Sequence, residues 1–331
     1  MLTLERTDAV GLLVVGDLHL SSRKPERRND DYARSILDRL AACVALANQK
    51  RLLMVLLGDI YHFSVEPNEA LKTELVEVLR QALWTPLSNV GNHDVVGQRL
   101  QRCDSLMNLK ASGVLRVCTE SGPFCALEMD GVRVGIGMTP HGQAIPLDVD
   151  AEFPNAFPPV DGVIWFTHHD LAFQGAYPKA ILLREIAGCE MAFNGHMHRR
   201  TPDVQCGVTT WCNQGGLAAT SVTEREQEAV AIAFFPTAAL TGGESLVLHF
   251  MGNDADGFDL TGRMVTAAPV ALDGLADVTR ELVDQLMAEP ARTDSGAILR
   301  EEILSFMNGA VPPVRAAVLS LLARAAEAGE T

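Results

Sequence analysis

Five short apolar runs, at 12–15, 52–57, 86–90, 163–166 and 191–193, each stop abruptly at a polar motif. Between them, 31–47 and 69–83 carry apolar residues at helical spacing, with Asn68 or Pro67 as a start signal for the second. β-rich runs alternating with helical stretches are the grammar of an α/β domain, and in open α/β sheets ligands bind at the C-terminal ends of the strands. All five polar motifs are therefore expected along one edge. Strand-like patterning returns at 228–235 and 245–250, which suggests a second sheet and places the end of this domain near residue 250. Residues 251–270 mix Gly, Asp and Pro as a linker would, and helical segments are expected near 273–289, 296–307 and 312–328. The division is thus 1–250 for the catalytic domain and 251–331 for a linker with a small helical region.

The motifs are GDLHL at 16–20, GDIYH at 58–62, GNHD at 91–94, THHD at 167–170 and NGHMH at 194–198. A single Gly-Asp after a strand is ordinarily a turn, and a single loop histidine is ordinarily solvated. The set is more specific, because seven of the nine histidines (His19, His62, His93, His168, His169, His196 and His198) fall inside these motifs. Together they offer imidazole nitrogens, carboxylates and an amide oxygen without a thiolate, which suits Mn²⁺, Fe or Zn²⁺. Asp-x-His and His-x-His also put two donors on one side of an extended segment. His141 and His249 lie outside the motifs and read as structural or surface residues, and Trp165 as packing between layers.

Other classes find little support. There is no Gly-x-Ser-x-Gly elbow, no GxxxxGK[ST] loop and no His-Glu-x-x-His. The seven cysteines are odd in number and never spaced Cys-x-x-Cys, so they read as buried free thiols. No apolar stretch approaches the roughly 20 residues of a membrane span, so a cytoplasmic protein without a membrane partner is expected. A net charge of −15 leaves room only for local contact with nucleic acid.

In order and content the five motifs resemble the signature of the calcineurin-like metallophosphoesterases, over roughly residues 10–220. The resemblance implies two mixed β-sheets flanked by helices, an α/β/β/α sandwich, and a pair of divalent ions, Mn²⁺ foremost. It implies that Asp17, His19 and His198 hold one ion, Asn92, His168 and His196 the other, and that Asp59 bridges them. His168 is preferred to His169 as the first histidine after its strand. Two such ions about 3.5–4 Å apart lower the pKa of a bridging water and neutralise charge at phosphorus, so a bridging hydroxide is the implied nucleophile. His93 is then the residue that stabilises the transition state and protonates the departing oxygen, with Asp94 orienting its ring or acting as a simple helix cap.

Leu20 and the run Ile60, Tyr61, His62 do not fit the protein serine/threonine phosphatase branch. GDIYHFSVEPNEAL is more similar to the SbcD-type DNA repair nucleases, in which His62 would match a histidine that positions the DNA strand. GHMHRR followed by the Gln214–Gly215–Gly216–Leu217 stretch resembles that branch with a departure, since Pro-Gly-Ser-Leu is its usual turn. Arg23, Lys24, Arg27, Arg28, Arg199 and Arg200 flank the motifs and would hold a phosphate backbone or sit in solvated loops. On this reading the partners are DNA and an SbcC-type ATPase, with the C-terminal helices as a cap, a docking segment or a homodimer surface. The alternatives are a small-substrate enzyme, such as a cyclic-nucleotide phosphodiesterase or nucleotide phosphatase, and a non-catalytic scaffold.

Overall fold

The computed structural model describes residues 1–25, 27–173, 180–237, 244–248 and 254–259. Met1–Asp259 form one compact unit. The helical segments expected beyond residue 260, and His249, lie outside the described residues.

One sheet has six strands. Its parallel core is β2 (Gly11–Val15), β3 (Leu52–Leu56), β4 (Leu87–Ser88) and β5 (Arg116–Val117), extended antiparallel by β12 (Ala231–Phe235) and β13 (Glu244–Leu248). The other has seven strands, in the order β1 (Leu4–Arg6), β6 (Gly122–Met129), β7 (Val132–Thr139), β8 (Gly162–His168), β9 (Met191–Gly195), β11 (Thr209–Asn213) and β10 (Thr201–Cys206). From β7 to β11 it is parallel, with antiparallel neighbours at both sides.

The runs at 12–15 and 52–57 are continuous rather than alternating because their strands are buried on both faces. Leu12, Val14, Leu53, Val55 and Leu57 point between the sheets, where they meet Ile136, Ile164, Phe166 and Phe193. Leu13, Val15, Met54 and Leu56 point the other way, into a core shared with α1 (Tyr32–Lys50), α2 (Glu69–Leu79) and the short α3 (Ser105–Ala111). The two longer helices start where a side-chain oxygen satisfies an otherwise unpaired amide: Asp31 accepts from Arg34 N and Asn68 from Leu71 N.

The layering is the expected sandwich, with one face thinner than expected. The outer side of the seven-stranded sheet is covered by loops and the single-turn helix α4 (Val149–Glu152), with Ile145, Phe153, Phe157 and Ile186 supplying the apolar cover. Trp165 packs there, on the outer face, stacked on Phe153 with its indole N–H donated to Thr139. It lies flat over Gly137, where a Cβ would overlap the ring.

Residues 254–259, which the sequence reading assigns to the linker, pack on the catalytic unit. Asp254 pairs with Arg28 and Arg39, and Phe258 packs with Ala219 and Val222. Among the described residues no helix is long and apolar enough to cross a membrane.

Candidate metal centre

The polar motifs follow strand ends on both sheets. Asp17 and His19 lie just beyond β2, Asp59 beyond β3, and Asn92 and His93 beyond β4. His168 is the last residue of β8, and His196 and His198 lie just beyond β9. Because the C-terminal ends of β2–β4 and of β8–β9 open to the same side, loops from both sheets converge. The loops after β2 and β3 are stitched together by His19 N to Asp59 O (2.9 Å), Leu20 N to Ile60 O (3.0 Å) and His62 N to Leu20 O (3.0 Å). His19, Asp59 and His196 adopt left-handed backbone with φ of 50°, 47° and 73°, a conformation unfavourable for residues other than glycine. Such strain persists only where the surroundings enforce it. Gly91 lets the third loop in: a Cβ there would collide with an Asp59 carboxylate oxygen.

Among the described residues three groups have ligand atoms within 4.8 Å of one another: His19, His62 and His93 form one, and the other two are donor sets that include carboxylates. Of these two, the first comprises Asp17, His19, Asp59 and His198 and the second Asp59, His168 and His196, so Asp59 belongs to both. Asn92 Oδ1 lies 2.8 Å from His196 Nδ1 and 3.3 Å from His168 Nε2, which adds it to the second. His169 is turned away, its Nε2 meeting the Gln143 carbonyl at 2.9 Å.

The donors fit divalent ions on several counts. Asp17 Oδ1 is buried without a hydrogen-bond partner, and buried Asp59 Oδ2 is faced by His168 Nε2 at 3.2 Å and His19 Nε2 at 3.6 Å; buried carboxylate oxygens of that kind need a cation or a proton. His19 Nε2 and His198 Nε2 face each other at 2.8 Å. His168 donates Nδ1–H to the Leu57 carbonyl at 2.8 Å, and His198 Nδ1 lies 3.1 Å from Glu224 Oε1. Each contact fixes a ring and turns Nε2 to the centre, as outer-shell partners of metal-binding histidines do.

The electrostatics point the same way. Burial acts against charging His168, but the Asp59 and Asp17 carboxylates outweigh it and hold its pKa at about 10. For His198, burial is outweighed by Glu224 and Asp17, giving about 9. Against the same burial, His168, His19 and His93 keep Asp59 well below the usual carboxylate range. Asp17 is raised by burial, with His168 opposing and Asp59 reinforcing the rise. Protons on His168 and His198 thus occupy the electrostatic role that bound cations would take. Glu224 is kept at about 2, because His198 and the Thr220 amide and hydroxyl outweigh its burial.

His93 stands beside the first donor set, 4.7 Å between ring centroids from His19 and stacked on His62 at 5.3 Å. Its amide donates to Asp59 Oδ1 at 2.8 Å, and its Nδ1 meets the His62 carbonyl at 2.7 Å. The contact to the His93 ring nitrogen thus comes from the His62 carbonyl. Asp94 is buried and accepts from the amides of Ile60, Tyr61 and Gly91, so it joins the second and third loops instead of touching the His93 ring. His62 is itself buried, with Nδ1 3.3 Å from His19 Nδ1.

The flanking basic residues divide. Arg28 is buried between Asp30 and Asp254, donates to the Ala219 carbonyl and lies over the rings of Tyr32 and Phe258. It is a structural cation and is not available to a phosphate. Arg23, Lys24, Arg27, Arg199 and Arg200 are exposed. The sequence reading missed two residues. Glu224 had no motif to mark it, and His141, read as structural or surface, has its ring centroid 5.3 Å from that of His196.

A sandwich whose strand ends gather two carboxylate–imidazole donor sets around a shared aspartate defines the binuclear phosphoester hydrolases as a class. The calcineurin-like phosphoesterase family model matches residues 11–200, and the chain belongs to that family. It is accordingly a metal-dependent phosphoric ester hydrolase. No curated protein matches the chain. A solved structure described as a hypothetical protein from Thermus thermophilus is similar at 12% identity and a TM-score of 0.41, covering 72% of this chain and 98% of that one.

Proposed function

We propose that this hydrolase is a nuclease of the SbcD type, cutting phosphodiester bonds of DNA with Mn²⁺ and a partner ATPase. The observation that carries the reading is the rim beside His93. Phe63 is 43% exposed, its ring is 4.7 Å from that of His62, and the Arg23 guanidinium lies 5.8 Å over it. An exposed aromatic ring with an adjacent arginine is what a single strand needs for base stacking and backbone pairing.

Asp17, His19, Asp59 and His198 would hold one ion and Asp59, Asn92, His168 and His196 the other; when bound, the pair supplies charge neutralisation at phosphorus and an activated water. The His62 carbonyl accepts Nδ1–H of His93 and fixes its ring, so Nε2 has a proton to give only when the ring is the imidazolium, which becomes the neutral Nδ1–H form on giving it. As the bond from phosphorus to the leaving oxygen breaks, that oxygen takes the proton from His93 Nε2.

Internalised Arg28 and the acidic composition favour a second reading, a small-diester or nucleotide phosphoesterase. The two separate when metal-stripped protein and its His93→Ala variant are given Mn²⁺ with end-labelled duplex DNA, single-stranded DNA or a chromogenic phosphodiester. Metal-dependent DNA cleavage that disappears in His93→Ala is the expected result. Turnover of the small diester alone, unchanged by a candidate ATPase partner, would sink the nuclease reading.

A further inference from the structure

The loop after β7 presents a histidine to the centre on the side away from His93. Its ring centroid lies 5.3 Å from that of His196 and 6.1 Å from that of His168, the two imidazoles of the second donor set. His93, by contrast, stands against His19 and His62 at the first.

The loop is held from several directions. His141 N donates to the Val90 carbonyl at 3.0 Å, which ties it to the GNHD segment. Gln143 accepts from Ser121 N at 2.6 Å, donates to the Thr119 carbonyl at 2.9 Å, and lends its own carbonyl to His169 Nε2 at 2.9 Å. Ser121 Oγ donates to the Ala144 carbonyl at 2.9 Å. The backbone of the loop is thus fixed by its neighbours, as the supporting shell of a functional side chain must be.

The side chain so presented has no structural task that explains this. The His141 ring is half-buried, belongs to neither converging donor set, and makes no hydrogen bond among the described residues. It leans on His169 in a stacked arrangement, 5.9 Å between centroids, which restrains the ring while leaving its nitrogens uncommitted.

We infer that His141 is a substrate-contacting residue that donates an imidazole N–H to a phosphoryl oxygen of the bound ester, facing His93 across the centre. The inference rests on the two-metal hydrolase reading and adds a donor to it. A preorganised N–H aimed at phosphoryl oxygen stabilises the charge that grows there as the bond order to phosphorus changes. Loss of a hydrogen bond to a charged group weakens phosphate binding about tenfold or more.

The test compares wild type with His141→Ala, His141→Phe, which keeps a ring against His169, and His141→Gln, which restores an N–H donor. Metal content is measured after Mn²⁺ loading, the binding of inorganic phosphate to the loaded protein by calorimetry, and kcat and KM on a chromogenic phosphodiester. Unchanged metal content, an approximately tenfold weaker phosphate Kd in the Ala and Phe variants, a fall in kcat/KM and partial recovery in Gln are expected. Phosphate affinity and kcat/KM equal to wild type would overturn the inference, as would loss of an ion from the Ala variant, which would make His141 a ligand. A wild-type protein that takes up no divalent ion would instead fail the hydrolase reading itself.

Discussion

Glu224 Oε1 lies 3.1 Å from His198 Nδ1, while its other oxygen accepts from the Thr220 amide at 2.9 Å and the Thr220 hydroxyl at 3.1 Å. The carboxylate is anchored by the loop that follows β11 and sets the ring of a residue that follows β9. Such a partner holds one tautomer and makes the facing nitrogen more basic.

Glu224→Gln removes the charge and keeps the shape. Loss of a partner of this kind costs about 10–100-fold in metal affinity. Calorimetric titration of metal-stripped protein with Mn²⁺ is expected to show one ion weakened to that extent and the other little changed. Equal affinities in variant and wild type would mean that the contact does not orient a ligand.

Asp59 is shared by the donor set around Asp17 and the donor set around His168. Its replacement by Asn keeps an oxygen for the His93 amide but takes away the charge. Metal content after loading is expected to fall from about two ions per chain to fewer than one, as a two-metal centre that loses its bridge would. Retention of both ions would refute the shared role.

Asp94 takes three buried amides, and removing an acceptor from buried donors costs about 1–3 kcal/mol. Asp94→Ala is therefore expected to lower the urea midpoint, whereas Asp94→Asn, which keeps one acceptor oxygen, lowers it less. If both variants kept full stability and lost turnover, the direct role in orienting His93 would return.

Arg28→Ala leaves Asp254 with one fewer cation in a buried network. Breaking a buried ion pair from one side costs about 3–5 kcal/mol. A loss of roughly that size in denaturant unfolding, with no change in the salt dependence of any DNA binding, is expected from its burial against Asp30 and Asp254. A stable variant with a shallower salt slope would put Arg28 back among the phosphate contacts.

The parts of this fold legible in the sequence are those whose physical constraint is local. Runs such as 12–15 and 52–57 had to be uniformly apolar because both faces of β2 and β3 are covered, and Asn68 had to precede α2 to cap it. The β6–β7 hairpin was legible but passed over: Asp130–Gly131 turn it, with φ of 47° and 80°, as an Asp-Gly pair does in a two-residue turn. The centre divides in the same way. The motif histidines announce themselves by clustering. Glu224 and His141 do not, because their relation to His198 and His196 exists only once β9, β11 and the loop after β7 are side by side. Arg28 misled for a related reason, since its partner Asp254 is distant in sequence and a basic run reads as solvated until that contact forms.

Proton linkage gives the most direct test of the centre as a whole. With His168 at about 10 and His198 at about 9, both imidazoles carry protons at about pH 7 in the metal-free protein. An ion can bind their Nε2 atoms only by displacing those protons, so metal uptake releases them and its apparent affinity climbs about tenfold per pH unit for each proton displaced. The effect on stability has the opposite sign. Both folded values lie above the ordinary histidine value of about 6.5, so the stabilisation is complete below that pH and is lost as pH rises toward about 9 and 10. Metal-free protein is therefore expected to weaken between about pH 6.5 and 10, while metal-loaded protein, with both imidazoles already deprotonated, does not. Calorimetry near neutral pH in buffers of different ionisation enthalpy checks the first half and thermal melting with and without Mn²⁺ the second. No proton release on binding would mean that the cations at His168 and His198 are not what the metal replaces.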